Sequence, residues 1–321
     1  MGSEMCIRDR YGAYSVLGVL GGNIFNFIRL RKYLCWGMVS FHTLCPMRHL
    51  KPALYVFALN VIISIYLQLN NVLLGFMKDA EAVGYFTAAT KIMVITMSIS
   101  SALGAVIMPR TSNLIAEERM DEFKALVQKS YDFIFALAMP LMVGLIFTSP
   151  SAVLLLSGEG FVPAILTSQI VAFNILTVGL SGVMGIQVLY PLGKINIVIL
   201  CTSIGAIINV FLNVLLIPRY GHNGTAVAYM LAEMTVTVSM FFIGKRYIPI
   251  RFLKRQHLNY VLGSVVMGVC LYFISWLGLG NTATLVMMIS MGGIVYVVIL
   301  LFLRDSIGMI PWKILREKFG K

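Results

Sequence analysis

Charge is scarce in this 321-residue chain: Asp, Glu, Lys and Arg together make up 12% of it, about half the share usual in a soluble domain. With 59% apolar side chains, no water-soluble core would hide that much hydrophobic surface, and a soluble protein is excluded. Cysteine is sparse as well. The five present (Cys6, Cys35, Cys45, Cys201 and Cys270) form an odd, scattered set that implies no disulfide framework. Acidic residues number 13 against 25 basic ones, a net charge of +12. The basic residues fall between apolar runs rather than along one face, which marks cytoplasmic loops and not a nucleic-acid surface. Catalytic motifs are missing too: there is no G-x-S-x-G and no H-E-x-x-H, and Gly193-Lys194 lacks both the upstream glycine and the following Ser or Thr of a P-loop. Cys35, His42, Cys45 and His49 share one loop at a spacing that fits no standard zinc pattern. Neither an enzyme nor a metal or cofactor site is expected, apart from coupling to sodium or protons.

What the chain does have is apolar length. Runs with few charges occupy about residues 11–28, 54–77, 84–108, 130–149, 166–190, 195–217, 224–243, 260–278 and 282–303, each near the roughly 20 residues that cross a bilayer. Segments such as Val61-Ile62-Ile63 are apolar on every side, which excludes the period-2 alternation of a barrel. The expected fold is an all-α polytopic membrane protein of about nine transmembrane helices. If the loop after the first run is cytoplasmic, the loops on that side and the tail carry twenty of the 25 basic residues, and the opposite loops only Lys78 and Arg219. That asymmetry places the C-terminus in the cytoplasm. Residues 1–10 then sit outside with Arg8 and Arg10, against the trend, and read as a non-native extension, the alternative being a short native tail carried across the membrane. Pro140 falls inside the fourth run, where it frees a carbonyl and kinks the helix. Residues 149–162 read as an outside loop, and Gly221-His222-Asn223-Gly224 as a tight turn between two spans.

Polar side chains within spans face protein or water, so their angular distribution locates a lumen. At 100° per residue Asn60, Ser64, Gln68 and Asn71 point within about 80° of one another. Thr87, Lys91, Ser98 and Ser101 do the same in the next span, as do Asn174, Thr177 and Ser181, and then Thr202, Asn209 and Asn213. A single stripe is explained equally well by hydrogen bonds that glue a bundle; four together favour a hydrated central cavity. Lys91 is about 10 Å below the outer face at 1.5 Å per residue. It either binds an anion in that cavity or snorkels to the interface. Glu233, midway along its span, is a candidate proton or sodium carrier, the alternative being a protonated packing group.

The run Ile65-Tyr66-Leu67-Gln68-Leu69-Asn70-Asn71-Val72-Leu73-Leu74-Gly75, followed by Val83-Gly84-Tyr85-Phe86-Thr87-Ala88-Ala89-Thr90-Lys91-Ile92, resembles the oligosaccharide flippase family of polysaccharide biosynthesis proteins. This family lies within the multidrug/oligosaccharidyl-lipid/polysaccharide exporter superfamily. Met139-Pro140-Leu141-Met142-Val143-Gly144, Tyr190-Pro191-Leu192-Gly193-Lys194, Asn209-Val210-Phe211-Leu212-Asn213 and Tyr220-Gly221-His222-Asn223-Gly224-Thr225-Ala226 leading to Glu233 extend the resemblance over roughly residues 11–260. It implies a fourteen-helix, two-lobed exporter that moves an undecaprenyl pyrophosphate-linked oligosaccharide from the cytoplasmic to the periplasmic leaflet of a bacterial inner membrane, driven by an ion gradient. On that basis residues 11–28 are the last helix of an N-terminal lobe and 29–53 the inter-lobe loop. Residues 54–243 form a six-helix C-terminal lobe, and 244–321 two additional helices with a basic tail. Five N-terminal helices are then missing, and the chain alone is not expected to flip its substrate. For such an exporter the polar stripes supply the substrate cavity, Lys91, Asn60, Gln68, Asn71, Ser98, Asn174, Asn209 and Asn213, with Glu233 as the candidate coupling group. The implied partners are the lipid-linked oligosaccharide, membrane lipids, and a glycan polymerase with chain-length proteins. The family often has an acidic residue where Asn70 stands, which puts a coupling role there in doubt. A multidrug exporter of the same superfamily is the nearer alternative; a membrane-bound polysaccharide polymerase or ligase and a purely structural subunit are the others.

Overall fold

The computed structural model describes residues 16–18, 20–30, 46–247, 251, 254–278 and 280–303. The chain divides between Phe57 and Ala58 into two compact units. The first holds an apolar helix, α1 (Val16–Leu30), and the start of α2 (Pro46–Met77). Within the second, α2 continues and is followed by α3 (Ala80–Ala116), α4 (Met120–Ser157), α5 (Ala164–Val171), α6 (Asn174–Gly182), a π-helical segment (Val183–Leu189), α7 (Ile195–Gly244), α8 (Arg255–Ser275) and α9 (Asn281–Phe302). Every regular element among the described residues is helical. Among the described residues six helical stretches, with Ala164–Leu189 counted as one, are long and apolar enough to cross a membrane, against the nine apolar runs of the sequence.

Local chemistry sets the ends of these helices. Asp79 caps α3, accepting from the Ala82 amide at 2.7 Å, and Glu81 lies in the first turn; both anions complement the helix dipole. Asp121 and Glu122 do the same for α4. Gly158, with φ of 88°, lets the chain leave α4 in a conformation that other residues rarely adopt. The turn expected around residue 221 is a break inside one 50-residue element: Gly221 alone has non-helical backbone angles (φ 54°, ψ −131°). Gly224 is required there, because a Cβ would stand 2.6 Å from the Leu216 carbonyl oxygen.

Prolines stop fewer helices than the sequence suggests. Pro109 lies inside α3, and α4 continues through Pro150 to Ser157, so the expected loop is confined to residues 158–163. A proline deprives the carbonyl four residues earlier of its donor, and in α4 other helices supply one. The Gln169 amide donates to the Ile146 carbonyl at 3.2 Å, opposite Pro150. The Tyr296 hydroxyl donates to the Ala136 carbonyl at 2.6 Å, opposite Pro140. Both bonds satisfy the groups that would otherwise force the helix to end.

Buried side chains gather in three clusters. One surrounds Leu74, Phe86, Ile175 and Ile217, a second Phe123, Met184 and Val236, and a third Tyr260, Met288 and Leu271, where α8 and α9 pack on α4. Large apolar side chains such as Phe211, Phe273 and Val286 point outward, as a lipid-facing surface demands.

Candidate functional site

The polar residues singled out in the sequence separate into two groups. The first is accessible and spans α2 and α3. Asn71 Nδ2 donates to Gln68 Oε1 at 3.5 Å, and the Thr87 hydroxyl donates to Asn71 Oδ1 at 3.4 Å, so a chain of contacts crosses between the helices. Lys91 lies one turn beyond Thr87 and is exposed, with no ion-pair partner among the described residues. Ser98, two turns further along the same face, is exposed and bonds to its own helix at the Ile95 carbonyl, 2.7 Å away.

The second group is closed inside the lobe. Asn213 Nδ2 donates to Asn70 Oδ1 at 2.9 Å, to the Asn209 carbonyl at 2.9 Å and to Asn209 Oδ1 at 3.1 Å. Asn70, Asn209, Asn213 and Thr225 are all buried. Asn209 Nδ2, Asn213 Oδ1 and the Thr225 hydroxyl have no hydrogen-bond partner among the described residues. Asn174 is fully buried at the start of α6, and neither end of its amide is bonded. Glu233 is buried on α7, one turn before Thr237, whose hydroxyl reaches the Glu233 and Thr177 carbonyls at 2.8 and 2.9 Å. The stripes of α2 and α3 thus share an open face, whereas Asn209 and Asn213 tie α7 to α2. The side chain of Asn60, together with Cys35, His42, Cys45 and the His49 ring, lies outside the described residues.

Beside the open face is a cavity of about 710 Å³ walled by α3, α4, α8 and α9. Its lining is almost entirely apolar: Ile95 and Ile99 from α3, Pro140 and Leu141 from α4, Leu271 from α8 and Tyr296 from α9 are among the contributors. The two threonines in the wall, Thr96 and Thr148, are bonded to the carbonyls of Ile92 and Gly144 on their own helices and offer little to a polar ligand. Ile95 follows Lys91 by one turn, about 6 Å, so α3 carries a cation and an apolar wall in succession. A cation followed by an apolar wall is complementary to a molecule with an anionic head and an apolar tail.

The sequence model of a family described as polysaccharide biosynthesis protein matches residues 16–166. The resemblance read from the residues holds. The chain is 25% identical over 276 residues to a probable low-salt glycan biosynthesis flippase, Agl15, of Haloferax volcanii, covering 84% of this chain and 58% of that protein. It is 21% identical over 215 residues to an uncharacterized membrane protein, MJ1068, of Methanocaldococcus jannaschii, covering 64% and 42%. Its fold is that of the lipid II flippase MurJ in an inward closed conformation, with a TM-score of 0.68 at 18% identity over 91% of this chain and 62% of the other. The chain thus spans about three fifths or less of the length of these relatives.

Two parts of the site escape a reading of polar periodicity. Asn70 points away from the Gln68–Asn71 face and contacts Asn213, which lies 143 residues further along the chain. Its position beside Asn71 in an apolar run was the available signal. The cavity gives no polar signal at all, because it forms only where four apolar helix faces fail to close on one another.

Proposed function

We propose that the chain is the C-terminal lobe of a flippase for a lipid-linked glycan, a transporter and not an enzyme. The observation that carries this reading is the succession on α3 of exposed Lys91, exposed Ser98 and the Ile95 and Ile99 wall of the apolar cavity. The polar face suits an anionic pyrophosphate and sugar hydroxyls. The cavity lies in the 300–1,000 Å³ range of ligand sites and suits a segment of hydrocarbon chain. The names of the relatives support the same assignment.

More finely, the substrate is an undecaprenyl pyrophosphate-linked repeat unit for surface polysaccharide, moved outward across a bacterial cytoplasmic membrane. Gln68, Asn71, Lys91 and Ser98 form the contact face, joined by Asn60. Asn174, Asn209 and Asn213 shape the lobe behind it, and Glu233 couples it to sodium or protons. Residues 54–243 form the lobe, and residues 244–321 add two helices and a cytoplasmic tail. Membrane lipids, a glycan polymerase and chain-length proteins are its partners. The test is complementation of a flippase-deficient strain that makes the matching glycan, using this chain with and without a co-expressed N-terminal lobe of a relative. Restored surface glycan is expected. Raised drug tolerance without restored glycan would favour a multidrug exporter.

A further inference from the structure

Pro140 and Tyr296 both line the apolar cavity, and the bond that links their helices spans a broken helical ladder. Pro140 has no N–H to return to the Ala136 carbonyl, and the Tyr296 hydroxyl takes that place at 2.6 Å. Room for the ring is made by α8: a Cβ on Gly263 would stand 3.2 Å from the Tyr296 ring carbons. One turn earlier on α4, Asp132 accepts from Lys254 Nζ at 2.6 Å, from Gln128 Nε2 at 2.9 Å and from His257 Nε2 at 3.1 Å. The His257 ring is buried and stacked on Phe135, with centroids 4.6 Å apart. Its other nitrogen accepts from the Lys254 amide at 3.2 Å. Beyond the proline, Gly268 of α8 lies so close to α4 that a Cβ would be 2.9 Å from Phe147 and 3.0 Å from Val143.

The α8–α9 pair is therefore fastened to α4 before Pro140 and packed against it after Pro140, as a splint crosses a joint. We propose that Pro140 is the hinge of α4 and that Tyr296 is the positioning residue through which α8 and α9 hold it straight, so that the two added helices set the width of the cavity. The inference needs no assumption about what is transported.

The bond can be removed and its need abolished in separate steps. Tyr296→Phe deletes one hydroxyl and keeps the ring. Pro140→Ala restores an N–H for the Ala136 carbonyl and makes the hydroxyl redundant. Spin labels at the exposed positions Leu156→Cys and Phe273→Cys, in a background cleared of the native cysteines, report how far the end of α4 lies from α8. A bend of about 20° moves a helix arm of about 24 Å by roughly 8 Å at its tip. Tyr296→Phe should broaden the distance distribution and lengthen it by several ångströms, and the Tyr296→Phe/Pro140→Ala double variant should return it to that of the parent. An unchanged distribution in Tyr296→Phe, or a double variant that stays displaced, would overturn the proposal.

Discussion

Asn213 on α7 donates to Asn70 on α2 at 2.9 Å, and the same amide group also reaches Asn209, one turn away on its own helix. Because all three asparagines are buried, removing Asn213 leaves Asn70 Oδ1 and Asn209 Oδ1 without its donor, and an unsatisfied buried polar group costs about 1–3 kcal/mol. Asn213→Leu should therefore lower the stability of the purified protein by that amount in thermal unfolding in detergent. Asn70→Leu/Asn213→Leu should cost less than the sum of the two single changes. Strict additivity would show that the pair does not interact.

If the proposed function is right, Lys91→Ala in a version completed with an N-terminal lobe should reduce glycan export and leave membrane insertion intact, and Lys91→Arg should retain most of the activity. A lost charge-assisted contact of about 1.5–3 kcal/mol corresponds to roughly 10- to 100-fold in affinity. Export measured at matched protein levels decides the matter; no loss would mean that the ammonium only snorkels to the interface.

The helical class and the polar sides of α2 and α3 were legible in the sequence because each rests on composition or on a local period. Gln68 and Asn71 share a face of α2, and Thr87 and Lys91 a face of α3, for the same reason that any residues three or four apart on a helix do; that the two faces meet at Asn71 and Thr87 was not legible. The partners of Asn209 and Asn213 were not legible, since a stripe says which side of a helix is polar but not which helix it meets. Pro150 misled for a related reason: the donor that lets α4 continue, Gln169, is on another helix, and nothing near the proline announces it.

Gly144 faces the apolar cavity, and a Cβ built there meets nothing within 4 Å. Gly144→Leu should fold at least as well as the parent, because glycine within a helix is unfavourable by about 1 kcal/mol relative to the best helix formers. Yet it should occupy space needed by the lipid chain and so lower export. Normal export with a correctly folded Gly144→Leu protein would remove the cavity from the transport path.

Reporter fusions after Lys321 and within residues 218–223 should lie on opposite sides of the membrane, the first in the cytoplasm. The charge asymmetry of the loops demands this, and reporters on the same side would sink the topology.

The leaflet in which the lipid-linked oligosaccharide resides, measured with a membrane-impermeant glycan-cleaving enzyme in cells that carry or lack the gene, bears most directly on transport. Loss of the gene should strand the oligosaccharide on the cytoplasmic side, protected from the external enzyme, with surface glycan depleted. An oligosaccharide equally accessible from outside in both cells, with surface glycan unchanged, would contradict a flippase.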